Sequence, residues 1–154
     1  MKAFMDKEFM LQSPTAQHLY HDYAADMPIC DYHCHIPPRE IYENRRFENI
    51  AQVWLGGRNP DGSYFGDHYK WRVMRSNGVP EEYITGDKPD RERFQKFAEA
   101  LPMAIGNPMY HWTNLELHVF FGYEGVLNRD TAEEVWNLCN DKLQHDPKLT
   151  VRGL

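Results

Sequence analysis

A single strand-like segment in an otherwise helical sequence constrains the fold of this chain more than any other feature. Residues 29–35 form the only convincing strand, and Pro37 and Pro38 follow almost at once. Because proline cannot donate to a sheet ladder, the strand must end there and release the chain into a loop. A lone strand has unpaired groups on both edges and is not stable by itself in water. The sequence therefore predicts the opening piece of a larger protein, whose other strands pair with this one.

The predicted strand carries two histidines in alternate positions. Successive side chains of a strand point to opposite faces, so His33 and His35 project from the same side, with Asp31 behind them. Imidazole is a good ligand for zinc and other first-row divalent metals, and barrel enzymes hold their chemistry at the carboxyl ends of strands. A histidine pair in a half-buried strand without a metal is an equally good interpretation of the pattern. Cys34 points to the opposite face and is interpreted as a core residue.

Composition and charge exclude several classes of protein. With 154 residues the chain can build the core of one domain, and its net charge of -6 gives no general attraction to nucleic acid or anionic membranes. The three cysteines are an odd number without paired spacing, as expected in a reducing compartment. The first residues lack the apolar core of a signal peptide, and no apolar run approaches the length of a membrane span. These features predict a cytoplasmic protein.

Helical periodicity and capping residues predict helices on both sides of the strand. They cover about residues 13–25, 39–44, 47–55, 67–76, 90–101, 107–117 and 130–143. Asp130 and Glu133 have the spacing of a capping box at the start of the last helix. The turn-rich stretch 56–63 predicts an exposed loop. Three tryptophans are assigned to the core: Trp71, Trp112 and Trp136.

Several segments stand out when they are taken together and in order: Phe9-Met10-Leu11, Leu19-Tyr20-His21-Asp22-Tyr23, Asp31-Tyr32-His33-Cys34-His35, Glu43-Asn44-Arg45-Arg46-Phe47, Gly66-Asp67-His68-Tyr69-Lys70-Trp71-Arg72, Gly106-Asn107-Pro108 and Tyr110-His111-Trp112-Thr113. They resemble the N-terminal part of the uronate isomerase family of bacterial sugar-acid breakdown. The resemblance runs from about Phe9 to Leu154. Linked segments over this length are more specific than the histidine pair alone.

The resemblance implies an α/β fold, with this chain as the N-terminal piece of a TIM-barrel enzyme of the amidohydrolase superfamily. Residues 1–154 would be mainly helical, with one barrel strand at about 29–35, a helical insertion at about 38–145 and the rest of the barrel absent. His33 and His35 would help to bind one divalent metal, zinc being the expected ion. The implied reaction is the aldose to ketose isomerisation of D-glucuronate to D-fructuronate and of D-galacturonate to D-tagaturonate.

The same resemblance assigns a catalytic role to Tyr69. The reaction moves a proton from C2 to C1 through an enediol, and in the family the tyrosine of this segment reaches the active site. A phenol has a pKa near 10, so it serves as a proton donor or acceptor here only if a cation or the metal lowers that value. Without the resemblance, an exposed amphipathic tyrosine would be the preferred interpretation. Substrate-binding residues stay unassigned: Lys70, Arg72, Arg45 and Arg46 could hold a carboxylate, but a solvated charged face is the favoured role.

Two departures from the family pattern carry expectations of their own. The loop at 58–65 is longer than expected, so that it either displaces Tyr69 or bulges into solvent. The later metal ligands and the substrate arginines are expected beyond Leu154, so the isolated chain is expected to be inactive. The expected partner is a small uronate substrate, and binding to nucleic acid or membranes is not expected. Whether the full-length enzyme forms a homo-oligomer is left open.

Two alternatives compete with this interpretation. A different metal-dependent hydrolase or deaminase of the amidohydrolase type also begins with a histidine pair on its first strand. The long helical insertion and the Tyr69 segment argue against it. A helical module that binds a partner protein through its aromatic surface is the second alternative, and a monomeric chain with cooperative unfolding would support it.

Overall fold

The computed structural model describes residues 4–30, 32–58, 62 and 64–154. It contains two compact units, Met1–Pro38 and Arg39–Leu154. The prediction of a mainly helical chain is confirmed within these residues. No helix in the described ranges is long and apolar enough to cross a membrane.

The first unit is built around one short helix. Helix α1 (Pro14–Leu19) continues as a five-residue π-helical turn over Tyr20–Ala24. Ser13 caps it as predicted, because its hydroxyl accepts a hydrogen bond from the backbone N–H of Ala16 at 3.1 Å. The predicted helix is thus confirmed, with a change from α to π geometry in its second half.

The predicted strand at 29–35 does not form among the described residues of that range. Residues 29, 30 and 32–35 have no ladder partner, and Asp31 lies outside the part of the chain that the structure describes. Ile29 is 94% and Tyr32 95% exposed, and Cys34 is exposed as well, so the core role predicted for Cys34 is wrong. The reason is that a strand exists only through hydrogen bonds to a neighbouring strand, and these residues have none to pair with.

The second unit is a helical bundle with one small hairpin. Its helices are α2 (Pro38–Glu43, which starts at the last residue of the first unit), α3 (Ile50–Leu55), α4 (His68–Ser76), α5 (Asp90–Ala100), α6 (Pro108–Phe121) and α7 (Ala132–His145). Short 3-10 turns cover Glu81–Tyr83 and Leu101–Ala104. The core contains fully buried residues from five of these helices, among them Ile50, Met74, Phe94, Leu117 and Leu143. The Trp54 and Phe94 rings stack within it at 6.0 Å.

The predicted loop at 56–63 is anchored at its base by a short antiparallel hairpin. Strand β1 (Gly57–Arg58) pairs with β2 (Tyr64–Phe65). Gly56 has a φ of 66°, and a Cβ atom there would lie 1.7 Å from the carbonyl oxygen of Phe65. Only glycine permits both the dihedral and the close approach. The sequence indicated the turn but not these four paired residues, because two-residue strands leave no periodicity to read.

Two predictions in the second unit are wrong. Asp130 and Glu133 do not form a capping box, since the Asn128 side chain accepts the backbone N–H groups of Asp130 at 2.8 Å and Thr131 at 3.1 Å instead. Trp112 is 53% exposed, whereas Trp71 and Trp136 pack against the core. The buried face of α6 includes Met109, Leu117 and Phe121. Its apolar residues Val119 and Phe120 are exposed, like Trp112.

A buried arginine holds the α3 end against α5. Arg93 donates to the carbonyl oxygens of Gly56 at 3.0 Å, Leu55 at 3.2 Å and Ile84 at 2.9 Å, and it pairs with Asp90 at 2.9 Å. Only 4% of Arg93 is exposed, and its three bonds to carbonyl oxygens are buried and shielded from water. The guanidinium therefore fixes the chain where α3 leads into the hairpin and on to α4.

We expect Arg93→Met to lower the free energy of unfolding of the 154-residue chain by about 3 kcal/mol, because buried carbonyls and Asp90 lose a charged donor. Urea denaturation followed by circular dichroism measures this value. Arg75→Met is the matched control, since it removes an exposed arginine pair with Glu81 and should cost less than about 1 kcal/mol. Equal losses in the two variants would contradict a structural role for Arg93.

Candidate functional site

The histidine pair lies in the first unit, in the extended chain that precedes α2. The Nε2 atoms of His33 and His35 lie 3.0 Å apart, and their ring centroids are 5.1 Å apart. Both side chains are exposed. The alternation predicted from the sequence thus brings the two nitrogens together, although the backbone is not part of a sheet.

This spacing is compatible with a shared metal ion. Two imidazole nitrogens that each lie about 2.0–2.1 Å from one zinc ion can be at most about 4.2 Å apart, and the observed 3.0 Å lies within that limit. Neutral imidazoles are also the ligands that zinc and its neighbours accept most often. Within the described ranges no group of three or more His, Cys, Asp or Glu side chains could hold a metal. The described residues therefore offer two candidate ligands, whereas a catalytic zinc site ordinarily takes three.

Tyr69 lies in the second unit, in the first turn of α4. Asp67 caps this helix, since its Oδ1 atom accepts the backbone N–H of Tyr69 at 2.8 Å and of Lys70 at 3.4 Å. The tyrosine is 49% exposed. Its ring lies 4.2 Å from the His68 ring, and the Arg72 guanidinium carbon lies 5.8 Å from its centroid. A half-exposed phenol beside a cation can meet a ligand and exchange a proton with it.

Tyr69 also lines an open groove of about 480 Å³ between α4 and the start of α6. The groove combines one cation with amide, hydroxyl and apolar groups, from Arg72, Ser76, Asn77, Asn107, Met103 and Ile105. Both amides are already engaged, since the Asn77 Nδ2 donates to the carbonyl oxygen of Val73 and the Asn107 Oδ1 accepts the backbone N–H of Met109. Arg72 is the charged residue among those that line the groove, and it is exposed.

The four basic residues considered as carboxylate ligands have different environments. Arg45 pairs with Glu40 at 2.9 Å and lies over the Phe47 ring. Arg46 donates to the carbonyl oxygens of Leu143, Gln144 and Asp146 and so caps the C-terminus of α7. Arg45 is thus half-buried and paired, which differs from the solvated face that was favoured for it, whereas Arg46 is exposed as that description requires but also binds a helix end. The carbonyl partners of Arg46 lie about a hundred residues away and left no trace in the local sequence.

Lys70 is also not solvated. It is 5% exposed, and its Nζ atom lies 3.1 Å from Asp67 Oδ2 and 3.7 Å from Glu116 Oε1. Burial raises the pKa of the Glu116 carboxyl, although the neighbouring Lys70 charge opposes that shift. The Nζ atom also lies 5.8 Å from the Trp54 ring centroid. The sequence indicated a pair between Lys70 and Asp67, because Asp67 is a capping residue three positions before the lysine. No local pattern indicated the contact with Glu116, which lies on another helix.

A comparison with known families identifies the chain along its whole length. The family model of glucuronate isomerase matches residues 1–154. The uronate isomerase of Lachnospira eligens is 69% identical over 154 residues, which are 100% of this chain and 31% of that protein. The uronate isomerase of Bacillus subtilis is 53% identical over 144 residues, 94% of this chain and 28% of that protein. This chain thus spans about a third of the length of these relatives.

A solved structure agrees with the sequence matches. The crystal structure of uronate isomerase from Thermotoga maritima superimposes with a TM-score of 0.83 at 34% sequence identity. The superposition covers 97% of this chain and 30% of that one. The resemblance inferred from the sequence segments is therefore confirmed by family, relatives and structure alike, and this chain belongs to the glucuronate isomerase family.

Proposed function

We propose that this chain supplies part of the active site of a uronate isomerase. The enzyme would interconvert D-glucuronate and D-fructuronate, and D-galacturonate and D-tagaturonate. The match of the family model to residues 1–154 carries the proposal. The absence of a net basic charge, at a formal value of -6, agrees with a small-molecule substrate rather than nucleic acid. The three cysteines, an odd number without paired spacing, favour a cytoplasmic enzyme.

We propose further that residues 29–35 become the first strand of a TIM barrel. The described residues of this range have exposed apolar side chains and a backbone without ladder partners, which supports this role, because parallel barrel strands are buried on both faces. The loop that follows a barrel strand lies at the end where barrel enzymes hold their active sites. Pro37 and Pro38 set the end of the strand, so that the histidines lie close to that end.

In this proposal His33 and His35 hold one divalent metal, with zinc as the expected ion. The 3.0 Å separation of their Nε2 atoms supports a shared ion. When bound, such a metal supplies positive charge that polarises a sugar oxygen and stabilises negative charge on it. The histidines themselves contribute ligands from a single extended segment, which keeps both rings on one side of the chain.

Tyr69 is the proposed proton-transfer residue. Isomerisation removes the proton at C2 and delivers one to C1, so a group that both accepts and donates a proton is needed beside these carbons. The phenol oxygen of Tyr69 can do both, and its 49% exposure leaves it open to a sugar in the groove. The guanidinium carbon of Arg72 lies 5.8 Å from the ring centroid and places a positive charge beside the phenol.

A fusion enzyme tests the proposal. It joins this chain to the part of the Lachnospira eligens uronate isomerase that the 154-residue match leaves uncovered. We expect the fusion enzyme to convert D-glucuronate and D-galacturonate to the ketoses, as followed by proton NMR, with solvent deuterium appearing at C1. A folded, metal-loaded fusion enzyme without this activity would contradict the proposal, and hydrolysis of amide or ester substrates instead would favour the hydrolase alternative.

A further inference from the structure

Two neighbours of Tyr69 in the first turn of α4, Lys70 and Trp71, are held by the interior of the second unit, while Tyr69 itself is half exposed. Asp67 caps the turn through the backbone N–H of Tyr69. The Trp71 indole donates to the carbonyl oxygen of Leu55 at 2.9 Å, which ties the turn to the end of α3. Lys70, immediately after Tyr69, is 5% exposed.

The ammonium group of Lys70 makes contacts that a stability role alone does not require. Burying a charge costs free energy, and apolar residues of the same size are often as stable or more stable. Lys70 nevertheless contacts Asp67 in its own turn at 3.1 Å and Glu116 on α6 at 3.7 Å. These directional contacts fix the rotation of the first turn about the axis of α4. An apolar side chain at position 70 would not select one rotation over another.

We propose that Lys70 and Glu116 are positioning residues that fix the orientation of Tyr69, an inference that rests on the proposed proton-transfer role of that tyrosine. Asp67 links the two functions, because one of its carboxylate oxygens binds the backbone of Tyr69 and the other binds Lys70. Glu116 anchors Lys70 to α6, and α6 begins at one wall of the groove that Tyr69 lines. Neither Lys70 nor Glu116 lines that groove, so both act through the turn and not on the ligand.

The expected effect is on turnover and not on substrate binding. In the fusion enzyme, Lys70→Met should lower kcat roughly ten- to hundredfold, since a displacement of about 1 Å at a reacting group has that size of effect. KM and metal content should stay unchanged. Glu116→Gln keeps the shape of the side chain and leaves Lys70 its contact with Asp67, so it should fold normally and give a smaller loss of kcat in the same direction.

The matched control is Lys96→Met. Lys96 likewise pairs with a glutamate, Glu99 at 2.8 Å, and lies 5.8 Å from an aromatic centroid, that of Tyr83. Its side chain is 37% exposed against 6% for Lys70, and it lies on α5 away from Tyr69. We expect unchanged kcat in this variant. A loss equal to that of Lys70→Met would show a general effect of removing lysine pairs and would overturn the proposal.

A double-mutant cycle separates positioning from a merely structural role. In the Tyr69→Phe background, Lys70→Met should have almost no further effect on kcat, because the group that it positions is gone. If Lys70→Met lowered kcat by the same factor with Tyr69 present and with Tyr69→Phe, the proposal would be overturned. Normal kcat in both Lys70→Met and Glu116→Gln would overturn it as well.

One readout does not depend on catalysis. In the 154-residue chain, the nuclear Overhauser contact between the Tyr69 ring and the Arg72 side chain should weaken in Lys70→Met and stay in Lys96→Met. If Tyr69→Phe left kcat unchanged, the proton-transfer role would fail, and this contact would then decide the positioning role by itself. An unchanged contact in Lys70→Met would overturn it.

Discussion

Tyr69→Phe lowers the kcat of the fusion enzyme for D-glucuronate by about a hundred- to ten-thousandfold, the usual contribution of a positioned proton-transfer group. The substitution removes one hydroxyl from a side chain that is 49% exposed, so folding should be unaffected. Metal content should also be unaffected, since the proposed ligands are His33 and His35 and the phenol of Tyr69 is not one of them. Steady-state rates and metal analysis on the same preparation measure both quantities.

Tyr42→Phe is the control for this prediction. Tyr42 is 81% exposed and does not line the groove that contains Tyr69, so loss of its hydroxyl should leave turnover unchanged. Near-normal turnover in Tyr69→Phe would remove the proton-transfer role. Tyr69 would then be an exposed aromatic of α4, and the histidine pair would be the chemistry that remains in the described part of the chain.

The second large effect is expected at the histidine pair. His33→Ala or His35→Ala should remove the bound metal from the fusion enzyme and reduce turnover to background, because each variant takes one imidazole from a pair whose nitrogens lie 3.0 Å apart. Metal per chain, measured by mass spectrometry, and isomerisation rates should fall together. This pattern differs from that of Tyr69→Phe, which affects the rate alone.

His145→Ala is the matched control for the histidines. Its side chain is 71% exposed on α7, where the ring contacts Asp141. Removing it should change neither metal content nor rate. Full metal content in both His33→Ala and His35→Ala would contradict the ligand role, even if turnover fell.

Local patterns predicted the helices well because their signals lie within a few residues of one another. The predicted helices at 13–25, 67–76 and 107–117 start at Ser13, Asp67 and Asn107, and each of these residues accepts a backbone N–H from the turn that follows it. The exceptions also have local causes. The Asn128 side chain accepts the N–H of Asp130, which the Glu133 side chain would have bound in the predicted capping box.

The candidate site was predicted in part from spacing and in part from family resemblance. The alternation of His33 and His35 was enough to place their nitrogens on one side of the chain, which the 3.0 Å separation agrees with. Tyr69 was singled out only through the resemblance, because a tyrosine on an amphipathic helix has no special local signal. Its neighbours in the groove come from α4 and the start of α6, which no local pattern could bring together.

The sequence by itself determined the helical character, the ends set by proline and capping residues, and the membership of a sugar-acid isomerase family. Only the tertiary structure decided which polar residues are buried, because burial depends on segments far apart in the chain. Lys70 was favoured as a solvated charge, yet it is buried and contacts Glu116 on another helix. Arg93 is buried as well and binds carbonyl oxygens at the end of α3, a role that no local pattern indicated. The segment at 29–35 shows the same limit, since its residues suit a strand but a strand forms only where a neighbour supplies the hydrogen bonds.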